Sequence, residues 1–344
     1  MSRSAAATLA VVVVASVAVG CAPSAAPAAS VASSPTGGAS PSSQPTATPP
    51  PKPTAAATPL PDGVVAEIRV GDGPGYADVV EGAVWVGNHR GNSLSKIDPA
   101  TNAVATTVDV ARDPTGVTAG FGSIWTFTFD PTAVTRVDIA TEEVIATIPI
   151  DAPGGSITGL VEAAGSMWIA PEGGRLFRID PDDNTATDVR GLDTDCPGSL
   201  AFAEGSLWHV PFCGAPVVLR IDPADGKVNT KIEVPEDTHA IWAGLDRLWA
   251  VTGWGELTEI DPATNKVIRS KSVGLAAEQV RTGLALVWVR VDDRTLVGVD
   301  PADLSIRHDY RLPAAQIPGG GIAFSEDAVW AMNFTAGTVW RIEP

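Results

Sequence analysis

The stretch Ala83–Val104 reads AVWVGNHRGNSLSKIDPATNAV and carries two landmarks, Trp85 after a short apolar run and the acidic residue Asp98. Both landmarks recur along the chain. The Trp returns at intervals of 39 to 43 residues, at Trp85, Trp125, Trp168, Trp208, Trp249, Trp288 and Trp330. An acidic residue, usually within Ile-Asp-Pro, follows 12 to 14 positions later, at Asp98, Asp138, Asp180, Asp222, Asp261, Asp300 and Glu343. Two independent markers that share one period indicate seven structural repeats.

Each repeat predicts four short strands, named a to d in chain order. Strand a is a run of small apolar residues such as Gly116–Ala119, strand b holds the Trp, strand c ends at the acidic residue, and strand d follows, as in Ala103–Val108. Short β-branched runs separated by Gly, Pro and Asp turns favour strands. Four strands in ~40 residues make one propeller blade. The sequence therefore predicts an all-β fold, a seven-bladed β-propeller of four-stranded blades over residues 63–344.

The two ends of the repeat region predict how the ring closes. The seventh repeat stops at Glu343-Pro344, where its strand c ends, and an extra strand, Val64–Val70, precedes the first repeat. We expect Val64–Val70 to be the fourth strand of the last blade. Such pairing removes the open sheet edges that favour aggregation.

The repeated residues themselves have a structural and a functional interpretation. Each Trp is expected to fill the layer between blades and to bury about 150–250 Å²; the alternative is a ring of ligand-binding Trp side chains. The acidic residue before Pro is typical of a turn, in which Asp bonds the backbone two residues on. The alternative for these residues is a set of metal ligands.

The repeats in Ala83–Val104 and Leu248–Val267 (LWAVTGWGELTEIDPATNKV) resemble those of the YVTN family of extracytoplasmic propellers and of the wider group that includes streptogramin lyases. The likeness covers residues 63–344 and implies the propeller fold. Streptogramin lyases use histidine and glutamate with Mg²⁺, and Thr238–Ile241 is similar to such a strand entrance, with His239 at the matching position. Blade five lacks the Glu that this group carries after its Trp, since Trp249–Thr252 reads WAVT.

The first 62 residues are not part of the repeat. Residues 1–20 resemble a lipoprotein signal peptide, with an apolar run ending in small residues before Cys21. We expect a lipid on Cys21 and cell-membrane anchoring outside the cytoplasm; the alternative is an ordinary secretory signal. Residues 21–62 are rich in Pro, Ala, Ser and Thr, a composition that favours a disordered tether.

The charge of the chain excludes one class of partner. The 344 residues, of which 44% are hydrophobic and 18% charged, have a net charge of −17. Such a surface repels phosphate backbones, so we expect no nucleic-acid binding. It suits a soluble extracytoplasmic domain, or one that meets cations. We expect the protein to be a monomer.

The two remaining cysteines, Cys196 and Cys213, flank one predicted hairpin. Folding about the turn Glu204-Gly205 places them opposite each other, and directly opposed antiparallel residues lie within disulfide range. An exported chain meets oxidising conditions. We therefore expect a Cys196–Cys213 disulfide; the alternatives are two buried thiols or a metal pair.

The repeats also show where function could lie, because positions that differ between blades are not needed for the fold. The b–c and d–a connections vary, and they share one face of a propeller. This variable face carries the candidate ligand-binding residues His89, Arg90, Trp254, Arg290, Asp292 and Asn333. For each one, a solvated loop residue is the alternative.

One ring position stands out at the entrance to strand a, ten residues before each Trp. It reads Gly75, Thr115, Thr158, Gly198, His239, Glu278 and Gly320. His239 and Glu278 lie on neighbouring blades, and a His beside a carboxylate could act as a catalytic acid–base pair. Sharing a metal, forming a structural ion pair, or making no contact are the alternatives.

These observations favour a membrane-tethered extracytoplasmic binding or interaction module. Its ligand would be a small molecule, a glycan or another exported protein. The alternative is a divalent-metal-assisted lyase or hydrolase that uses His239 and Glu278. No cofactor is certain from the sequence, and Mg²⁺ or Ca²⁺ are the candidates.

Overall fold

A computed structural model describes residues 60–129, 131–152, 159–189, 192, 194–292, 294–313 and 321–344. They form seven four-stranded antiparallel sheets, which confirms the predicted seven-bladed β-propeller. The described residues contain no helix with the length and hydropathy needed to cross a membrane. The predicted signal peptide, Cys21 and all but the last three residues of the predicted tether lie outside these ranges.

Each blade contains four consecutive strands, except the last, which takes its outer strand from the start of the chain. Blades one to three consist of β2 (Pro74–Val80), β3 (Ala83–Asn88), β4 (Ser93–Asp98), β5 (Ala103–Asp109); β6 (Thr115–Gly120), β7 (Ser123–Phe129), β8 (Thr132–Asp138), β9 (Val144–Pro149); β10 (Leu160–Ala163), β11 (Ser166–Ile169), β12 (Phe177–Ile179), β13 (Ala186–Asp188). Blades four to six consist of β14 (Gly198–Ala203), β15 (Ser206–Pro211), β16 (Val217–Ile221), β17 (Val228–Glu233); β18 (Thr238–Gly244), β19 (Arg247–Thr252), β20 (Glu256–Asp261), β21 (Lys266–Ser272); β22 (Gln279–Gly283), β23 (Leu286–Arg290), β24 (Thr295–Val299), β25 (Ile306–Arg311). Blade seven consists of β26 (Ile322–Phe324), β27 (Val329–Asn333), β28 (Thr338–Ile342) and β1 (Val64–Arg69).

The ring closes as predicted, because β1 pairs antiparallel with β28. The register places Val64 opposite Ile342 and Arg69 opposite Thr338. The strand ends one residue earlier than predicted, although Val70 still donates its N–H to Gly337 O at 2.9 Å. The first strand therefore completes the sheet that contains the last strand of the chain.

The repeated Trp residues lie in the core between blades. The side chains of all seven are at most 1% accessible. In Trp125, Trp168, Trp208, Trp249 and Trp288 the indole N–H donates to the carbonyl five residues earlier, at 2.9 to 3.0 Å. That carbonyl belongs to the end of strand a, so each indole spans its own a–b hairpin. Because the indole donates to this carbonyl, the number of residues between the a–b turn and the Trp is the same in these blades.

A cation on strand c links several blades to the next one. The Arg136 guanidinium lies 4.6 Å from the Trp125 ring centroid and donates to Asn184 Oδ1 of the next blade at 2.9 Å. The same bridge joins Arg220 to Asn265, with a cation–π distance of 5.2 Å and a hydrogen bond of 2.9 Å. It also joins Arg341 to Asn102, with a cation–π distance of 5.6 Å and a hydrogen bond of 3.1 Å. The Asn of the c–d turn therefore accepts a hydrogen bond from an arginine of the preceding blade.

The repeated Asp residues organise the c–d turns. Asp98 Oδ1 accepts the N–H of Ala100 at 2.9 Å, and Asp98 Oδ2 accepts the Thr101 hydroxyl at 2.8 Å. These hydrogen bonds lower the pKa of the Asp98 carboxyl. The turn interpretation of the Asp residues is thus supported by the contacts that they make.

The predicted disulfide is confirmed in blade four, where Cys196 and Cys213 are bonded with a Cα–Cα distance of 5.7 Å. The hairpin has the predicted register, with Ala203 opposite Ser206 and Gly198 opposite Pro211. Phe212 N donates to Pro197 O at 2.9 Å, which carries the pairing out to the disulfide.

Candidate functional site

A cavity of about 510 Å³ lies among the first strands of blades one to six, β2, β6, β10, β14, β18 and β22. In a propeller these strands surround the central axis, so the cavity is part of the central channel. Its size falls within the range of small-molecule sites, which is roughly 300–1,000 Å³.

The cavity wall combines aromatic and charged side chains. Its aromatic residues are Tyr76, Phe127, Phe129, Phe202, Phe212 and Trp242. Its charged and titratable residues are Asp78, Glu162, His239, Glu278 and Arg281. Among these lining residues, three carboxylates oppose one guanidinium. An apolar wall with a few polar groups is typical of ligand pockets.

Some polar residues of the wall hold neighbouring blades together. Asp78 Oδ2 accepts the N–H of Ala119 from the next blade at 2.9 Å, while its Oδ1 accepts Val79 N at 2.9 Å. Gln279 Oε1 likewise accepts Ile322 N of blade seven at 2.8 Å. These side chains satisfy backbone donors at the inner edges of the blades.

Tyr76, Trp242 and Arg281 form a group within the cavity. The Arg281 guanidinium lies 4.4 Å from the Trp242 ring centroid. Tyr76 keeps 39% of its surface accessible because it borders the channel. Desolvation raises the pKa of the Tyr76 phenol, and the Arg281 charge opposes this while the Glu278 charge adds to it. Desolvation lowers the pKa of Arg281, against the influence of Asp78 and Tyr76.

The structure places the predicted pair His239 and Glu278 on the wall of this same cavity. The His239 Nδ1 lies 3.2 Å from Asp237 O, and its ring centroid lies 6.5 Å from that of Phe212 in an edge-on arrangement. The backbone N–H of Glu278 donates to Arg290 O at 2.9 Å. Their catalytic role stays a prediction.

Three other predicted residues lie in or beside the b–c loops. His89 Nδ1 is 3.1 Å from the Thr115 hydroxyl, and the Arg90 guanidinium lies 4.7 Å from the Phe334 ring centroid. Trp254 is 72% exposed in the b–c loop of blade five. These side chains are accessible in part or in full, so their predicted ligand contacts remain open to test.

The last three predicted residues are engaged within their own blades. Arg290 is buried and donates from Nε to Asp292 O at 3.0 Å. Burial raises the pKa of Asp292, but hydrogen bonds from Arg294 N and Thr295 outweigh it and lower that pKa overall. Asn333 is buried, and its Oδ1 accepts Ala336 N at 3.2 Å. Each of these contacts shapes a b–c loop, and ligand binding by these residues stays a prediction.

Among the residues that the structure describes, no group of three or more His, Cys, Asp or Glu side chains could hold a metal ion. The fit of His239 and Glu278 to a divalent cation therefore has no third ligand within the described part of the chain.

Sequence reasoning missed the group around Arg281. The signal was present seven residues before each Trp, three residues further along strand a than the position of His239 and Glu278. There the ring reads Asp78, Thr118, Val161, Ala201, Trp242, Arg281 and Ala323. A Trp and an Arg on adjacent blades mark the site, because the other residues of this ring, apart from Asp78, are small or apolar.

The chain is similar in fold to several solved structures. Streptogramin B lyase superposes with a TM-score of 0.70 at 16% identity, over 81% of this chain and 96% of that one. Kuenenia stuttgartiensis hydrazine synthase superposes with a TM-score of 0.66 at 14% identity, over 85% of this chain and 98% of that one. The computationally designed Ika8 protein superposes with a TM-score of 0.61 at 11% identity, over 80% of this chain and 99% of that one. No protein-family model matches the chain, and no curated protein matches it. At these identities the likeness shows the propeller fold, and function has to be argued from the site.

Proposed function

We propose that this protein is an extracytoplasmic binding module that takes a small organic molecule into its central channel. The observation that carries the proposal is the cavity of about 510 Å³ lined by Tyr76, Trp242 and Arg281. Such a volume favours a small molecule over a protein surface or a long glycan.

The cavity wall supports this proposal because it combines aromatic surface with the charged group of Arg281. Tyr76 has an accessible ring in the channel, and Trp242 carries a stacked guanidinium. Aromatic side chains bind ligand rings through area burial and specific stacking. The fold-building Trp residues are buried, so they do not compete for this role.

The direct experiment is extraction of small molecules from protein purified from its native host, followed by mass spectrometry. Trp242→Ala should lose the retained compound, because it removes an aromatic part of the wall. Trp254→Ala is the matched control, since Trp254 is 72% exposed and lies outside the cavity lining. If only Trp254→Ala loses the compound, the ligand binds at the b–c loop of blade five, and the proposed channel site is wrong.

We further propose that the module is held at the cell membrane by a lipid on Cys21. The apolar run before Cys21 and the Pro-rich stretch after it support this. Metabolic labelling with a fatty acid should mark the wild-type protein, and Cys21→Ala should be unlabelled and released from membranes. An unlabelled wild-type protein that is secreted would indicate an ordinary signal peptide instead.

The alternative function is a metal-assisted lyase or hydrolase, supported by the presence of His239 and Glu278 on one cavity wall. If it holds, Mg²⁺ or Ca²⁺ should raise the melting temperature, and Glu278→Gln should abolish that shift. A melting temperature unchanged by either cation and by chelator would favour the binding module.

A further inference from the structure

Arg281 occupies an unusual place in the ring. It belongs to β22 in blade six, opposite Trp288 in the hairpin register. Its Nη1 lies 3.5 Å from Ala77 O in blade one, although blade seven stands between these two blades. Its guanidinium also stacks on Trp242 of blade five. The side chain therefore projects across the channel rather than packing between two adjacent blades.

Few of the hydrogen-bond donors of this guanidinium are used by other residues that the structure describes. An arginine has five N–H donors. The one hydrogen bond that Arg281 makes within the described residues is the long one to Ala77 O, and its buried Nε has no acceptor there. By contrast, Arg136 donates to Ser123, Asn184 and Phe121. A buried N–H without an acceptor, such as the Arg281 Nε, costs free energy that a hydrogen-bond partner would recover.

The acidic side chain whose charge acts on Arg281 is Asp78, which also takes part in a contact between blades. Asp78 accepts a backbone N–H on each of its oxygens, from Val79 and from Ala119. Within the described residues no hydrogen bond or ion pair joins Asp78 to Arg281. A further acceptor for Arg281 would come from the cavity, as water or as an anionic group of a bound molecule.

We propose that Arg281 is the receptor for the carboxylate of a small organic acid whose apolar body lies among the aromatic residues of the channel. This rests on the proposed binding function and names its ligand class. Guanidinium and carboxylate match as a planar, bidentate pair. Tyr76, which lines the same channel, would supply a second donor.

The charge of the wall selects a monoanion. Asp78, Glu162 and Glu278 line the cavity together with the single guanidinium. Coulomb energies scale with the charge of the ligand, so a doubly charged anion such as sulfate doubles its repulsion from carboxylates such as Asp78 and Glu162 as well as its attraction to Arg281. Because carboxylates outnumber the guanidinium among the lining residues, a monocarboxylate, with its lower charge, is disfavoured less.

The competing interpretation is that Arg281 is a brace that holds Trp242 and Ala77 in place. The two interpretations predict opposite effects on stability. A brace makes Arg281→Met lower the melting temperature. A receptor with unmet donors makes the ligand-free variant equal to the wild type or higher by roughly 2–4 °C.

The test is calorimetric titration and thermal unfolding of the wild-type protein with benzoate, its neutral analogue benzamide, and sulfate. Benzoate should bind at least tenfold more tightly than benzamide or sulfate and should raise the melting temperature. Arg281→Met should lose at least tenfold in benzoate affinity. Arg281→Lys should retain part of it, since it keeps the charge without the planar fork. Arg307→Met, on an exposed arginine, is the matched control and should bind benzoate as the wild type does.

Each outcome decides the inference. Equal benzoate affinity in the wild type and Arg281→Met would overturn it, as would a lower melting temperature of the ligand-free variant. If benzamide binds as well as benzoate and Trp242→Ala abolishes both, the channel is a binding site but Arg281 is not a carboxylate receptor. If no probe binds the wild type, the inference is wrong, and the extraction experiment decides the proposed function separately.

Discussion

Arg341 of the last blade donates from Nη1 to Oδ1 of Asn102 in the first blade, at 3.1 Å. The same nitrogen donates to Pro99 O at 2.7 Å, while the guanidinium stacks 5.6 Å from the Trp330 ring centroid. Residues 239 positions apart in the sequence are thereby joined across the closing interface of the ring. The backbone pairing of β1 with β28 and this side-chain bridge close the propeller in two different ways.

Replacing Arg341 should weaken the closure. Arg341→Met keeps the aliphatic stem but removes a mostly buried set of charged hydrogen bonds, and Asn102 loses its donor. We expect a loss of about 2–3 kcal/mol in the free energy of unfolding. Chemical denaturation measures it. Arg307→Met, at a half-exposed surface pair, should change the same quantity by less than about 1 kcal/mol; equal effects from both variants would contradict the role of the bridge.

His209 should make stability depend on pH. Its side chain is fully buried, and desolvation lowers its pKa to about 4, although the nearby backbone of Ser199 and Cys196 raises that pKa in part. Below the ordinary histidine pKa the unfolded chain takes up a proton that the folded chain does not. The free energy of unfolding should therefore fall as the pH drops from about 6.5 to about 4, by up to about 3 kcal/mol.

His209→Val should remove this part of the pH dependence. Valine or isoleucine occupies the matching position in blades one, three and six, at Val86, Ile169 and Val289. Denaturation of both proteins at several pH values between 4 and 7 would compare the slopes. Parallel curves for the wild type and the variant would show that other groups cause the acid sensitivity.

Removing the disulfide should destabilise blade four. Cys196 and Cys213 close a loop of 17 residues, so the loop-entropy argument gives about 3 kcal/mol. The double variant Cys196→Ala/Cys213→Ala should melt at a lower temperature than the oxidised wild type. A reducing agent should lower the melting temperature of the wild type toward that of the double variant and leave the variant unchanged. A reductant effect on the variant would point to a different cause.

Deleting the closing strand should disrupt the last blade. Val64 and Ile68 on β1 are buried, and Glu67 Oε1 accepts the Thr338 hydroxyl at 3.0 Å. A chain that begins at Val70 leaves β28 with an unpaired edge, so we expect a lower melting temperature and aggregation. Light scattering and thermal unfolding would measure both. A chain that begins at Leu60 keeps β1 and is the control; equal behaviour of the two would contradict closure by β1.

Most of the fold could be predicted from residue patterns. The Trp spacing indicated the blades, the missing final strand indicated that Val64–Val70 closes the ring, and hairpin counting paired Cys196 with Cys213. These predictions succeeded because they concern local hairpins and their repetition. The register of a hairpin follows from its turn, and a strand that is missing at one end must be supplied at the other.

The candidate site depended on tertiary structure. Sequence comparison between blades drew attention to His239 and Glu278, and both line the channel. It passed over Arg281 because a single arginine in a strand looks like an ordinary surface residue. That this guanidinium lies over Trp242 and reaches toward Ala77, 204 residues away, depends on the curvature of the whole ring.

By itself, the sequence determined the number of blades, the strand that closes them and the disulfide, since each follows from short-range pairing repeated at a constant interval. Only the tertiary structure decided which polar side chains are used up between blades and which remain available in the channel. The physical reason is that six separate strands bring their side chains around one axis, where desolvation and the distance between charges are set by the closed ring.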